Sequence, residues 1–235
     1  MSFLEHLDEL RSRLFKAVLA LAVAFALAWT QSERLFRYMV EPLTPFLGGR
    51  KLVFLEITEP FILYMKVALL AGIFAAAPVI LYQAWAFVAP GLYPREKRYA
   101  APFIVSASLL FLAGGAFGYK VAFPYAARFL LSIAGDFEPA LTVKSLFGFE
   151  SKIVLGMGLV FEMPAVIYLL ASLGIVSPRF LLRHLKMAVL ISFIVAAIIT
   201  PTPDVVTQCV FAVPMIGLYL LGIGASYLVP RRDGR

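Results

Sequence analysis

Three carboxylates stand where the surrounding sequence is least suited to them. Glu162 lies in "GLVFEMPAVIYLL", residues 158–170, whose other members are all apolar, glycine or proline, and no further charge occurs between Ile153 and Leu173. A charged side chain at the centre of a membrane-spanning helix costs roughly 2.5–3.5 kcal/mol on insertion scales, so a partner, a proton or a function has to offset it. Glu9 and Glu96 sit instead in basic segments, "HLDELRSRL" and "GLYPREKRYA". Taken singly, each has a structural explanation. Glu9 can pair with Arg13 at i+4, worth a few tenths of a kcal/mol. Glu96 can pair in solvent with Arg95 or Arg98, worth about 0–1 kcal/mol. Taken together they offer other chemistry, an acceptor for two guanidinium forks, because Arg engages a carboxylate bidentately and Lys does not.

The elements that carry these residues are membrane helices. Of 235 residues 62% are hydrophobic and 15% charged, with a mean hydropathy of +0.90, whereas soluble domains are about a quarter charged. A hydrocarbon core about 30 Å thick takes about 20 helical residues to cross. Six apolar runs qualify, at about 15–30, 62–88, 101–123, 153–173, 187–199 and 205–227. The fifth is short and is joined to the sixth by the tight turn "TPTPD", so the last two spans are expected to be short. Residues 1–14 form an amphipathic helix before the first span. Phe3, Leu4, Leu7, Leu10 and Leu14 share one side of it, with Glu9 nearly opposite, so it is expected at the interface or packed on the bundle. Pro78, Pro164 and Pro214 fall inside spans and can kink them. The expected fold is one all-α polytopic domain, a curved bundle with an open concave face.

Basic residues set the orientation. Arg11, Arg13 and Lys16; Arg95, Lys97 and Arg98; Arg179, Arg183 and Lys186; and Arg231, Arg232 and Arg235 all fall on one side of a six-span chain. The positive-inside rule places that side, with both termini, in the cytoplasm. The net charge of +7 then reflects topology and not nucleic-acid binding. Ala26-Leu27-Ala28 matches a signal-peptidase pattern, but the long acid-containing segment before it favours an uncleaved first span.

Several functions are disfavoured. The single cysteine, Cys209, cannot form an internal disulfide. No span holds a histidine, and neither H-E-x-x-H nor G-x-S-x-G occurs, so neither an enzyme nor a metal site is expected. A proton- or ion-coupled small-molecule transporter, with Glu162 as its proton site, is the alternative. It lacks the inverted pair of glycine-broken spans common in such carriers.

"HLDELRSRL", "PVILYQAWAFVAPGLYPREKR", "FEMP" and "TPTPDVVTQ", in that order and spacing from about Leu4 to Tyr227, resemble the TatC family, the multi-span subunit of the twin-arginine protein translocase. The resemblance implies recognition of twin-arginine signal peptides on folded cargo, single-span partners of the TatA/TatB type, self-association, use of the proton-motive force, and no cofactor. It implies a prokaryotic inner membrane. It also implies that Glu9 and Glu96 form the twin-arginine acceptor and that Arg11 and Phe87 take part with them in signal-peptide binding. Pro42 and Asp204 match family positions. Glu162, with Gln208, is expected to contact a partner span or the inserted signal peptide. Thr200 and Ser108 are further candidate hydrogen-bond partners of Glu162, while Lys66 and Lys120 lie towards the outer span ends and can snorkel. Pro94, just before "REKR", departs from the family pattern.

Overall fold

Water is absent from a bilayer core, so a spanning backbone must satisfy its own hydrogen bonds, and helix is the form this chain takes. A computed structural model describes residues 3–46, 52–88, 100–133, 141–200 and 204–229. Glu96 and its basic neighbours, Pro94, the proline turn at 201–203 and the C-terminal arginines lie outside the described residues.

Helix α1, Phe3–Trp29, is unbroken, so the amphipathic segment and the first apolar run form a single rod. A short α2, Ser32–Val40, leads into a 3₁₀ segment, Glu41–Phe46, that contains Pro42. Next come α3, Glu59–Val88, and α4, Ala100–Phe117. A π-helical turn, Gly118–Ala122, joins α4 to α5, Phe123–Ile133. Then follow α6, Val143–Phe161; α7, Met163–Ser172; α8, Pro178–Arg183; α9, Leu185–Ile199; and α10, Val205–Tyr227. An isolated bridge between Val53 and Thr142 ties the approach to α3 to the start of α6.

Among the described residues five stretches are long and apolar enough to cross a membrane: Glu5–Trp29, Glu59–Val88, Pro102–Ile133, Val143–Ser172 and Val205–Tyr227. Two of them outrun the apolar runs read from sequence. The third continues past residue 123 to Ile133 because Pro124 does not stop the helix. Proline lacks the N–H that would bond four residues back. Here the preceding turn widens, and the Phe123 N–H reaches Gly118 O, five residues back. The fourth starts at Val143, ten residues before Ile153, because Thr142 caps it by accepting the Ser145 N–H at 3.2 Å. Helix α9 has 15 residues, about 22 Å, well short of the hydrocarbon thickness.

Lipid is as apolar as leucine, so these helices associate through close packing at small residues. Along α1 and α3, a Cβ on Gly72 would stand 3.0 Å from the Phe25 backbone nitrogen. Between α4 and α6 the approach is tighter, since a Cβ on Gly114 would lie 2.4 Å from the Met157 carbonyl oxygen. Around that contact lies the main core, with Phe123, Ile153, Met157 and Phe211 fully buried. Helix α10 packs on α7 and α9, with Gly222 beneath Ile167.

Gly114→Val should therefore wedge α4 from α6 and cost about 1–3 kcal/mol, read as a lowered melting temperature of purified protein in detergent. Gly148→Ala, whose new Cβ would meet nothing within 4 Å, should leave the melting temperature unchanged. Equal behaviour of the two variants would refute this account of the α4–α6 contact.

Candidate functional site

The first polar cluster lies where the start of α1 meets the end of α3. Glu9 and Arg13 are one turn apart, and Arg13 Nη2 stands 3.2 Å from Glu9 Oε1. Arg13 Nη1 also donates to Gln83 Oε1 of α3, at 3.4 Å. Both charged side chains are partly covered, 19% exposed for Glu9 and 26% for Arg13. Glu9 Oε2 is buried and has no hydrogen-bond partner among the described residues. One turn beyond Gln83, the Phe87 ring stacks on His6 with centroids 4.4 Å apart. The carboxylate is thus fixed through one oxygen by a braced guanidinium, while its other oxygen remains an unused acceptor.

This arrangement settles which way the N-terminal helix faces. Leu7, Leu10 and Leu14 are exposed, with Leu14 at 61%, and the polar side carrying Glu9 and Arg13 meets α3. The apolar face is therefore not packed on the bundle. Arg11 is exposed. Glu96, the expected second acceptor, lies beyond Phe87 and outside the described residues.

Glu162 occupies the break between α6 and α7. Pro164 cannot donate to the Val160 carbonyl. The chain adapts at Glu162, whose N–H turns to Leu159 O at 3.1 Å and whose own carbonyl accepts from Val166 at 2.9 Å. The side chain is 8% exposed and its Oε1 has no hydrogen-bond partner. The donors expected from the sequence are engaged nearer home, with the Ser108 hydroxyl on Ile104 O and the Thr200 hydroxyl on Ala196 O. Lys66 and Lys120 are exposed and Gln208 is half-buried. Asp204 caps α10, its Oδ1 accepting the Thr207 N–H at 2.6 Å, so capping accounts for an acid at that position. Pro42 is half-buried in the 3₁₀ segment after α2.

A third buried carboxylate, Glu150 on α6, escapes the sequence reading. It is 1% exposed and its Oε1 also lacks a partner. The flanking Lys144 and Lys152 make "VKSLFGFESK" look like a polar loop. The missed signal is periodicity, since Val143, Leu146, Phe147, Glu150, Ile153, Val154 and Met157 recur at helical spacing and all are buried.

Comparison with known proteins bears on what these sites serve. The family described as Sec-independent protein translocase protein (TatC) matches residues 5–214. A protein of that name from Koribacter versatilis is 46% identical, covering all of this chain and 88% of that protein. One from Aquifex aeolicus is 36% identical, over 99% of this chain and 97% of that one. A crystal structure described as the twin-arginine translocase receptor TatC superposes with a TM-score of 0.81 at 35% identity, covering 96% of this chain and all of that one.

The energetics of Glu162 and Asp204 have opposite signs. Glu162→Leu should hold or raise the melting temperature, since a buried unpartnered carboxyl gives way to an apolar group. Asp204→Ala should lower stability by about 1 kcal/mol through loss of a helix cap. A marked loss of stability in the Leu variant would show that Glu162 has a structural partner.

Proposed function

The chain belongs to the TatC family of Sec-independent protein translocase proteins, and from that premise we propose that it is the receptor for twin-arginine signal peptides and the core subunit of a translocase that moves folded proteins. A family of protein translocases displaces the small-molecule carrier considered as the alternative. The observation that carries the reading is Glu9, held through one oxygen by an Arg13 that Gln83 braces, while the other oxygen has no partner among the described residues. A guanidinium arriving from the adjacent compartment meets an acceptor already oriented, and Glu96 supplies the second fork.

On this reading the basic ends of the chain face the cytoplasm of a prokaryote and both termini lie inside, with α9 as a short crossing and α10, expected from the sequence to be short as well, long enough at 23 residues to span fully. The positive-inside distribution supports that orientation. The energy source is the proton-motive force. Single-span subunits of the TatA/TatB type and further copies of the chain complete the machine. Glu162 offers its free oxygen to a polar group of a partner span or of the inserted signal peptide, with Gln208 as an auxiliary contact. Arg11 and Phe87 join Glu9 and Glu96 in binding the signal peptide, and Pro42 and Asp204 are further family-matched positions.

Glu9→Ala and Glu96→Ala should each weaken crosslinking of a twin-arginine signal peptide to membranes bearing this protein by roughly 10–150-fold, the loss expected for a charge-assisted hydrogen bond. Membrane insertion should be unchanged. A double variant that crosslinks like the parent would remove the acceptor assignment.

Glu162 separates three roles. If it contacts a partner span, Glu162→Gln should transport a folded twin-arginine reporter nearly as well as the parent. Glu162→Leu should then lose partner assembly but not signal-peptide binding. A proton carrier would make both variants equally inactive. A fully active Leu variant with normal partner crosslinking would end the functional reading of this residue.

A further inference from the structure

Between α2, α3, α4 and α6 lies a cavity of about 340 Å³. Its walls include Leu35, Val67, Phe74, Ala116 and Val154, and Glu150 is the one carboxylate among them. Glu150 is 1% exposed and its Oε1 has no hydrogen-bond partner. Tyr119, also on the wall, is engaged elsewhere. Its hydroxyl donates to the Tyr38 carbonyl and its ring stacks on Tyr38 with centroids 5.7 Å apart, which fastens α2 over the space. An unpaired acceptor on the wall of an apolar cavity calls for a donor that arrives on an apolar body.

The depth of Glu150 identifies the body. The stretch Val143–Ser172 has 30 residues, about 45 Å against a hydrocarbon core of about 30 Å. Glu150, seven residues from Val143, is about 10 Å from that end and so near the hydrocarbon boundary. Phe74, in the middle of α3, and Val154 lie deeper. Polar at the boundary and apolar beneath is the profile of a lipid. A helix about 10–12 Å across does not fit such a volume and could offer only a side chain at its mouth. The charges fit a particular headgroup. A carboxylate accepts from an ammonium. Arg34, exposed on α2, shares a helix face with Tyr38 of the cavity wall one turn on, and a guanidinium binds phosphate well.

We propose that this cavity binds one phospholipid with a primary-ammonium headgroup of the ethanolamine type. Its ammonium donates to Glu150, its phosphate lies at Arg34, and an acyl chain fills the space beneath α2. A choline headgroup has no N–H to donate and serves as the matched control. The site stands apart from the Glu9 cluster and does not depend on which compartment either end of the bundle faces.

The test is native mass spectrometry of the full-length protein released from nanodiscs made of equal parts phosphatidylethanolamine, phosphatidylcholine and phosphatidylglycerol. The protein should retain one phosphatidylethanolamine, in roughly tenfold or greater preference over phosphatidylcholine, the discrimination expected for a hydrogen bond to a charged group. Glu150→Gln, equal in size, should bring the ratio near unity. Ala116→Phe, at an exposed position on the cavity wall, should reduce retention of both lipids. Arg34→Gln should weaken both alike, since both carry the phosphate. Equal retention of the two lipids by the parent would overturn the proposal, as would a Gln variant that keeps the parental ratio. If the Gln variant does not fold, undiminished phosphatidylethanolamine on Ala116→Phe would place the lipid elsewhere and overturn it equally.

Discussion

A carboxylate inside a bilayer has no water to fall back on, so every acid carried into this bundle must find a donor within the protein or be left with an open valence. The chain shows both outcomes. At Glu59, the first residue of α3, the carboxylate accepts the Leu55 N–H of the preceding turn at 3.2 Å. Asp204 caps α10 by accepting the Thr207 N–H. Glu9 is half satisfied, by Arg13. Glu150 and Glu162 each keep an oxygen with no partner. Glu59 and Asp204 serve the backbone of the folded chain, while Glu9, Glu150 and Glu162 each keep an oxygen that a donor from another molecule could take.

The same dry medium governs how the helices hold together. Burial of apolar surface drives little association when the surroundings are equally apolar, and backbone proximity has to do the work. Gly114 and Gly158 let α4 and α6 approach until a methyl at either would overlap Met157 or Phe111. That contact fixes the rotation of α6 about its axis. Rotation in turn decides where its acids point, because Glu150 lies one turn before Val154 and three turns before Glu162. Local breaks refine the aim. Pro164 stops α6 at Glu162 and presents the side chain at a bend.

Much of the architecture was legible in the sequence because hydropathy is a direct record of what the bilayer tolerates. The five long spans and the short Leu185–Ile199 helix all coincide with apolar runs, and the cap at Asp204 follows from an acid before a helix. Two kinds of feature were not legible. One is continuation past a nominal breaker. Pro124 reads as the end of a span, yet a π turn carries the helix on to Ile133. The other is the facing of amphipathic elements. In water an apolar face turns inward, but at a membrane the rule inverts, and Leu7, Leu10 and Leu14 face outward while Glu9 packs against α3. Glu150 was hidden for a different reason, since its helix starts earlier than expected and its neighbouring lysines suggest a loop. The position of Glu96 cannot be read from periodicity at all, because it follows a run of proline and glycine.

On the proposed function, the Arg13–Glu9 contact has a consequence for selectivity. Arg13 is an arginine held permanently beside the acceptor, at i+4 on the same helix. Any incoming cation competes with a tethered ligand whose effective concentration is high. A lysine offers a point charge on a strongly hydrated ammonium and gains little by displacing or joining such a pair. A guanidinium can take the unused Oε2 in plane without evicting Arg13, because a carboxylate presents about four lone-pair sites. Two such guanidiniums in succession, one at each acid, bind as a linked pair, and the second engagement costs far less association entropy than the first. On the proposed function, selection of paired arginines over single ones, or over lysines, then follows from one carboxylate already half occupied and a second acid, Glu96, to take the adjoining residue.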